Sequence, residues 1–361
     1  MRPRVVTRDD AAARSLAGAV LSHDVHGDPA HPSFAKGRVV RSEDVPALLA
    51  LPWQELHVIE MEPGDLHEEE AGDRLAVAVA GDGCEVRAPT GGHWPIAATR
   101  RGILDVRVSA LRACNEIDDV CVYTLYAGRI ADVGDVIARA KVTPFVLAEA
   151  RVREVERIAA EQGGLVHVRP FLPTRVGAVV QESLGVRAMD RFRDALAEKI
   201  AWFGSELIEP VFVPAGAEPI AGALRGLADQ GARVLLVAGT KAMDALDPAF
   251  RALAAVGAPI ERHGVPAHPG SLFWIARMGD VPVLGMPSCG LFSQATVFDL
   301  VLPRVLAGER IGHADLAELG HGGLLTKELA FRFPPYRAAR TRGEVGEGDA
   351  GRERSRVAST E

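Results

Sequence analysis

The chain has 361 residues, of which 48% are apolar and only 5% aromatic, so two or three domains with largely aliphatic cores are expected. Its net charge of −7 argues against broad nucleic-acid binding, which needs a basic surface. No apolar run is long enough for a transmembrane helix, the N-terminus lacks the apolar stretch of a signal peptide, and Cys84, Cys114, Cys121 and Cys289 match no CxxC or zinc spacing. A cytoplasmic protein with reduced thiols and no membrane partner is the expectation.

In chain order, "AVLSHDV" and "FAKGRVV" read as short strands around a loop rich in Pro, Gly and His. The histidines of "SHDVHGDPAH" suggest a metal, but no HxxxH lies on a predicted helix, and a plain loop is the simpler reading. Ser42, Glu43 and Asp44 favour a helix start in "SEDVPALLAL". A strand, "WQELHVIEM", precedes a helix in which Asp65 is the expected N-cap, with Glu68 three residues on. Residues 1–83 thus read as an α+β module.

Residues 84–171 read as a β-rich module and a connecting helix. Short strand-like runs are separated by Gly and Asp, and the proline of "GDVIARAKVTPFVL" suits a sheet edge. The helix, "AEARVREVERIAAEQGG", is amphipathic and ends at a glycine pair. From Val176 strands alternate with helices of 10–15 residues, the pattern of a parallel sheet covered by helices. Residues 172–310 are therefore expected to form a three-layer αβα domain with a mostly parallel sheet, in which 234–237 is a central strand buried on both faces. Ligand belongs at the carboxyl ends of such strands. A C-terminal extension, 311–333, leads to a charged, glycine-rich tail, 334–361, expected to be disordered.

Three loops at those strand ends carry Gly, Ser or Thr: "VVQESLGVRAMD", "VAGTKAMDALD" and "LGMPSCG". Their amides and hydroxyls could hold an anion, although none contains GxxxxGK[ST] or GxGxxG, and each alone reads more simply as an ordinary turn between strand and helix. Together, residues 172–310 resemble the molybdopterin-binding domain shared by MoeA-type molybdotransferases and MogA-type adenylyltransferases. The resemblance is best at "VPAHPGSLFWIARMGDVPVLGMPSCGLFSQATVFDLVLPRVLAGE". It places Pro269 and Gly270 at the family's PG turn, Pro287, Ser288 and Gly290 in its "GLPGNP"-like loop, and Gly239, Thr240 and Lys241 at its "TGGxSxGxxD" loop. Ser183 falls in the loop after the first strand. "LSHDV", "LHEEEAGDRLA" and "GHGGL" resemble a MoeA-like subgroup of molybdopterin-binding proteins.

The resemblance implies a pterin ligand, molybdopterin or its adenylylated form, and Mg²⁺-assisted insertion of molybdate. Asp190 and Asp247 match the family's catalytic and metal-holding carboxylates, and Asp244 is a third metal candidate. Each aspartate also reads as a helix cap. A client molybdoenzyme and a homo-oligomer are further implications. The loops depart from the family: Ala238–Gly239–Thr240 stands for Thr-Gly-Gly, Ala242 for Ser and Asp244 for Gly. Losing glycines weakens an amide cradle, and Lys241 could compensate with its charge. Non-catalytic alternatives follow: a cofactor carrier, chaperone or sensor for a molybdoenzyme, or the same fold binding another nucleotide-like ligand.

Overall fold

Val, Leu and Ala fill the five positions Val234–Ala238, and all five side chains are buried. Such a run needs cover on both faces, and the sheet around it supplies that. In the computed structural model, residues 1–13, 16–29, 31–181, 186–286 and 296–336 are described, the side chains of 12 and 13 excepted. The expectations at Ser183, Pro287, Ser288 and Gly290, and for the tail beyond 336, lie outside these residues. The chain divides into two units: Met1–Ala127 with Ala131–Pro170, and Gly128–Ile130 with Phe171 onward.

In the second unit the strand order is Glu206–Leu207, Arg175–Val180, Val234–Ala238, Val281–Met286, Trp274–Met278 and Ile260–His263. Arg175–Val180, Val234–Ala238 and Val281–Met286 run parallel, Trp274–Met278 pairs antiparallel with Val281–Met286, and Ile260–His263 pairs antiparallel with Trp274–Met278. Alternation along the strands separates two cores. Val176, Ala178, Val180, Leu236, Ala238 and Leu284 face Phe192, Leu196, Ile200 and Val301 of the helices Val186–Trp202 and Val297–Leu306. Val179, Leu235, Val237 and Val283 face Ile220, Leu224 and Leu253 of the helices Ala217–Asp229 and Pro248–Ala255. This is the expected αβα sandwich, with 234–237 at its centre.

In the first unit Arg2–Thr7 and Val20–Leu21 flank Glu55–Glu60 in an antiparallel sheet. A second antiparallel sheet has the order Cys84–Val86, Trp94–Ala98, Val136–Val142, Val120–Thr124. The helices Glu68–Val79 and Glu149–Ala160 share its core through Leu75, Val79, Val152 and Val155.

Three local readings change. Asp65 does not cap: it lies in the strand Asp65–His67, and its carboxylate accepts from Glu62 N at 2.8 Å. His67 takes the cap instead, its Nδ1 accepting from Glu69 N at 3.3 Å. Val136–Val142 is an interior strand, and Pro144 lies beyond its end. Val108–Asn115, inside the stretch read as strands, is a helix whose Cys114 enters the core.

Candidate functional site

Register builds the site. Val180 lies beside Ala238, and Ala238 beside Met286, in one row across three parallel strands. The three strands therefore end at the same edge of the sheet. Trp274 pairs antiparallel with Gly285, which brings the segment before Trp274, including Pro269 and Gly270, to that edge as well.

The middle loop starts at Gly239, whose φ of +82° favours glycine. Two turns follow, with Asp244 N donating to Lys241 O and Asp247 N to Asp244 O. Asp247 closes the loop and is 1% exposed. Its Oδ2 accepts from Lys241 N at 2.8 Å, and its Oδ1 accepts from Ala249 N at 2.9 Å, capping Pro248–Ala255. Gln181, at the end of the neighbouring strand, donates from Nε2 to Asp247 Oδ1 at 3.0 Å and to Gly239 O at 3.0 Å. Thus both carboxylate oxygens are engaged, and Asp247 holds two strand ends and a helix start together.

The other candidates are placed differently. Lys241 is exposed with its backbone pinned by Asp247, so its ammonium extends from a fixed base. Met243 and Leu246 of the same loop are exposed to 86% and 73%. Thr240 is half-buried, and its Oγ1 is buried without a partner among the described residues. Asp244 is exposed and accepts from Leu246 N at 2.9 Å in a local turn. Asp190 lies within Val186–Trp202, paired with Arg193 at 3.2 Å. Gly270 has φ +109°, and a β-carbon there would stand 2.8 Å from Val297 N, while Pro269 O accepts from Val297 N at 3.1 Å. This turn seats the first residue of Val297–Leu306.

These carboxylates do not fit a magnesium site as they stand. Asp247 has its oxygens occupied and Asp190 has a cationic partner. Among the described residues no three His, Cys, Asp or Glu side chains group as metal ligands. In the histidine-rich loop of the first unit His31 Nδ1 lies 2.9 Å from Asp28 Oδ1 and the His23 ring packs edge-on against His57, and neither arrangement gathers three metal ligands among the described residues.

Sequence reasoning left two features out of the site. Gln181 is 5% exposed and clamps the middle loop; its only sequence signal is a bulky amide where a glycine-rich turn is expected. Below the edge, Lys199 Nζ donates to Asp299 Oδ1 at 2.7 Å, with Thr296 Oγ1 donating to Oδ2 and Tyr336 OH to Oδ1. Burial pushes the Asp299 carboxyl up against the pull of Lys199, and pushes the Tyr336 hydroxyl well above its usual range. Among the described residues no helix is long and apolar enough to cross a membrane.

Residues 15–60 match a domain of unknown function, DUF8806. No curated protein matches the chain. Among solved structures, the chain is similar to a molybdopterin biosynthesis MoeA protein from Pyrococcus horikosii, at 14% identity over 67% of this chain and 79% of that one, with a TM-score of 0.28. It is also similar to a protein assigned to molybdenum cofactor biosynthesis from Corynebacterium diphtheriae, at 17% identity over 37% of this chain and 94% of that one, with a TM-score of 0.25. At these values neither likeness speaks to ligand or reaction.

Proposed function

We propose that the chain binds a molybdopterin-type pterin, free or as its nucleotide, at the carboxyl edge of the second unit, in the service of molybdenum cofactor maturation. The observation that carries this reading is the row Val180–Ala238–Met286, which sets the strand ends that precede the three loops of the sequence resemblance side by side. A row of strand ends in a parallel sheet is where α/β folds take ligands. The exposed ammonium of Lys241 suits an anionic group, and the exposed Met243 and Leu246 of the same loop suit the face of a flat ring. Pterin fluorescence recovered from the purified protein, and saturable quenching when molybdopterin is added back, test the reading. A protein that neither carries nor takes up a pterin would overturn it.

A carrier or chaperone role is favoured over molybdate insertion by one observation: Asp247 spends its carboxylate on the fold, and Asp190 is paired with Arg193. Binding and orientation are what these residues offer. Molybdate- and magnesium-dependent conversion of bound molybdopterin, measured against a protein-free control, separates the two. Turnover above that control would restore the insertion reading.

A further inference from the structure

Gln181 has used up its donors. Its Nε2 protons go to Gly239 O and to the Asp247 carboxylate, groups that only accept. Those partners fix the amide's orientation and set Oε1 away from them. This oxygen is buried and accepts no hydrogen bond among the described residues. In the next loop Thr240 Oγ1 is buried and without a partner in the same way. Buried polar atoms are almost always paired, so two orphans on neighbouring strand ends call for an explanation. The groups around them, Gly239 O and the Asp247 carboxylate, are acceptors too. Around Gln181 Oε1 the edge therefore offers lone pairs, and a phosphate brought against that oxygen would be repelled, while the Thr240 hydroxyl can accept as well as donate.

We infer that Gln181 Oε1 and Thr240 Oγ1 accept N–H donors from the ligand, so that this part of the edge reads the amino end of a heterocycle and leaves its anionic end to Lys241. The inference rests on the pterin reading above and sharpens it: these two residues would select a ring bearing an amino group.

The test uses the full chain and two probes, pterin (2-amino-4-oxopteridine) and 4-oxopteridine, the same ring without its amino group. The parent should bind pterin at least about tenfold more tightly, the worth of one hydrogen bond to a buried acceptor. Thr240→Val keeps the side-chain shape and removes only the hydroxyl. It should bring the ratio towards one and, without ligand, leave the melting temperature unchanged or raised, since an unpartnered buried hydroxyl is lost. A parent ratio near one would overturn the inference and leave the pterin reading standing. Failure of the parent to bind either ring would overturn both. A melting temperature lowered by Thr240→Val without ligand would show that a buried water already serves Oγ1, and this too would overturn the inference.

Discussion

At Asp247 one side chain answers two readings of the sequence. "ALDP" is a helix-start signature, because aspartate accepts from the first amides and proline tolerates the first helical position. The family resemblance makes the same aspartate a metal ligand. What separates them is Gln181, 66 positions earlier in the chain, which sequence spacing does not place against it. Asp247→Ala would leave one N–H of the Gln181 amide and the backbone N–H groups of Lys241 and Ala249 without their acceptor. It should cost about 2–4 kcal/mol in urea unfolding, a lost cap plus unsatisfied donors. Lys241→Ala, at an exposed neighbour, should stay within about 0.5 kcal/mol of the parent yet weaken pterin binding about tenfold through loss of a charge-assisted contact. Equal stability losses in the two variants would show that Asp247 does not hold the loop. Unchanged pterin affinity in Lys241→Ala would remove the ammonium from the site.

Glycine sets the contacts of whole elements, and the same substitution should have opposite signs in two helices. Gly72 sits in Glu68–Val79 where a β-carbon would stand 2.3 Å from the ring of Trp94, which is 2% exposed and hydrogen-bonded to Asp73. Gly72→Ala should destabilise by about 1–3 kcal/mol through overpacking, although alanine is the better helix former. Gly222 and Gly226 of Ala217–Asp229 have nothing within 4 Å of a β-carbon, and alanine at either should stabilise by about 0.5–1 kcal/mol. Melting curves of the three variants check both signs. Glu68–Val79 is also tied to Glu149–Ala160 by Arg74, which donates to Glu156 through Nε and Nη2 at 2.8 and 2.9 Å and to Glu149 through Nη1 at 2.8 Å. The guanidinium holds both carboxyls below their usual range. A carboxyl made more acidic by folding binds fewer protons than in the unfolded chain. Its stabilisation is therefore present at neutral pH and is lost as the pH falls through the lowered value. Arg74→Ala should be less stable than the parent at pH 7, and the two should converge below about pH 4. A stability gap that persists in acid would mean that Arg74 acts through packing alone. Long helices and buried strands were readable from periodicity. Val108–Asn115 was not, because eight residues without a side-chain cap carry little signal beside flanking β-branched runs.

At the scale of the whole molecule, the parallel sheet and the burial of its central strand were legible, because aliphatic runs alternate with amphipathic helices. The closure of the second unit was not legible. Composition begins a solvated tail at Pro334, yet Tyr336 is 3% exposed and belongs to the core with Phe192, Phe298 and Leu302. Its hydroxyl reaches Asp299, which accepts from Thr296 three positions before it and from Lys199 100 positions before it. Local pattern cannot report a buried charge whose partner is that distant. The energetics of the cluster differ by member. Tyr336→Phe removes one donor to a carboxylate that keeps Lys199 and Thr296, and should cost about 1–2 kcal/mol. Asp299→Ala removes the buried carboxylate to which Lys199, on a side chain 11% exposed, donates, and strips the cap of Val297–Leu306. It should cost about 3–5 kcal/mol. Replacing both charges, with Lys199→Met in the Asp299→Ala background, should recover part of that loss, because a buried ion pair is stabilising chiefly relative to one stranded charge. Urea midpoints of the three variants decide it. If the double variant is no more stable than Asp299→Ala, the Lys199 ammonium is not the source of the loss, and the cap and the Tyr336 contact hold this unit closed.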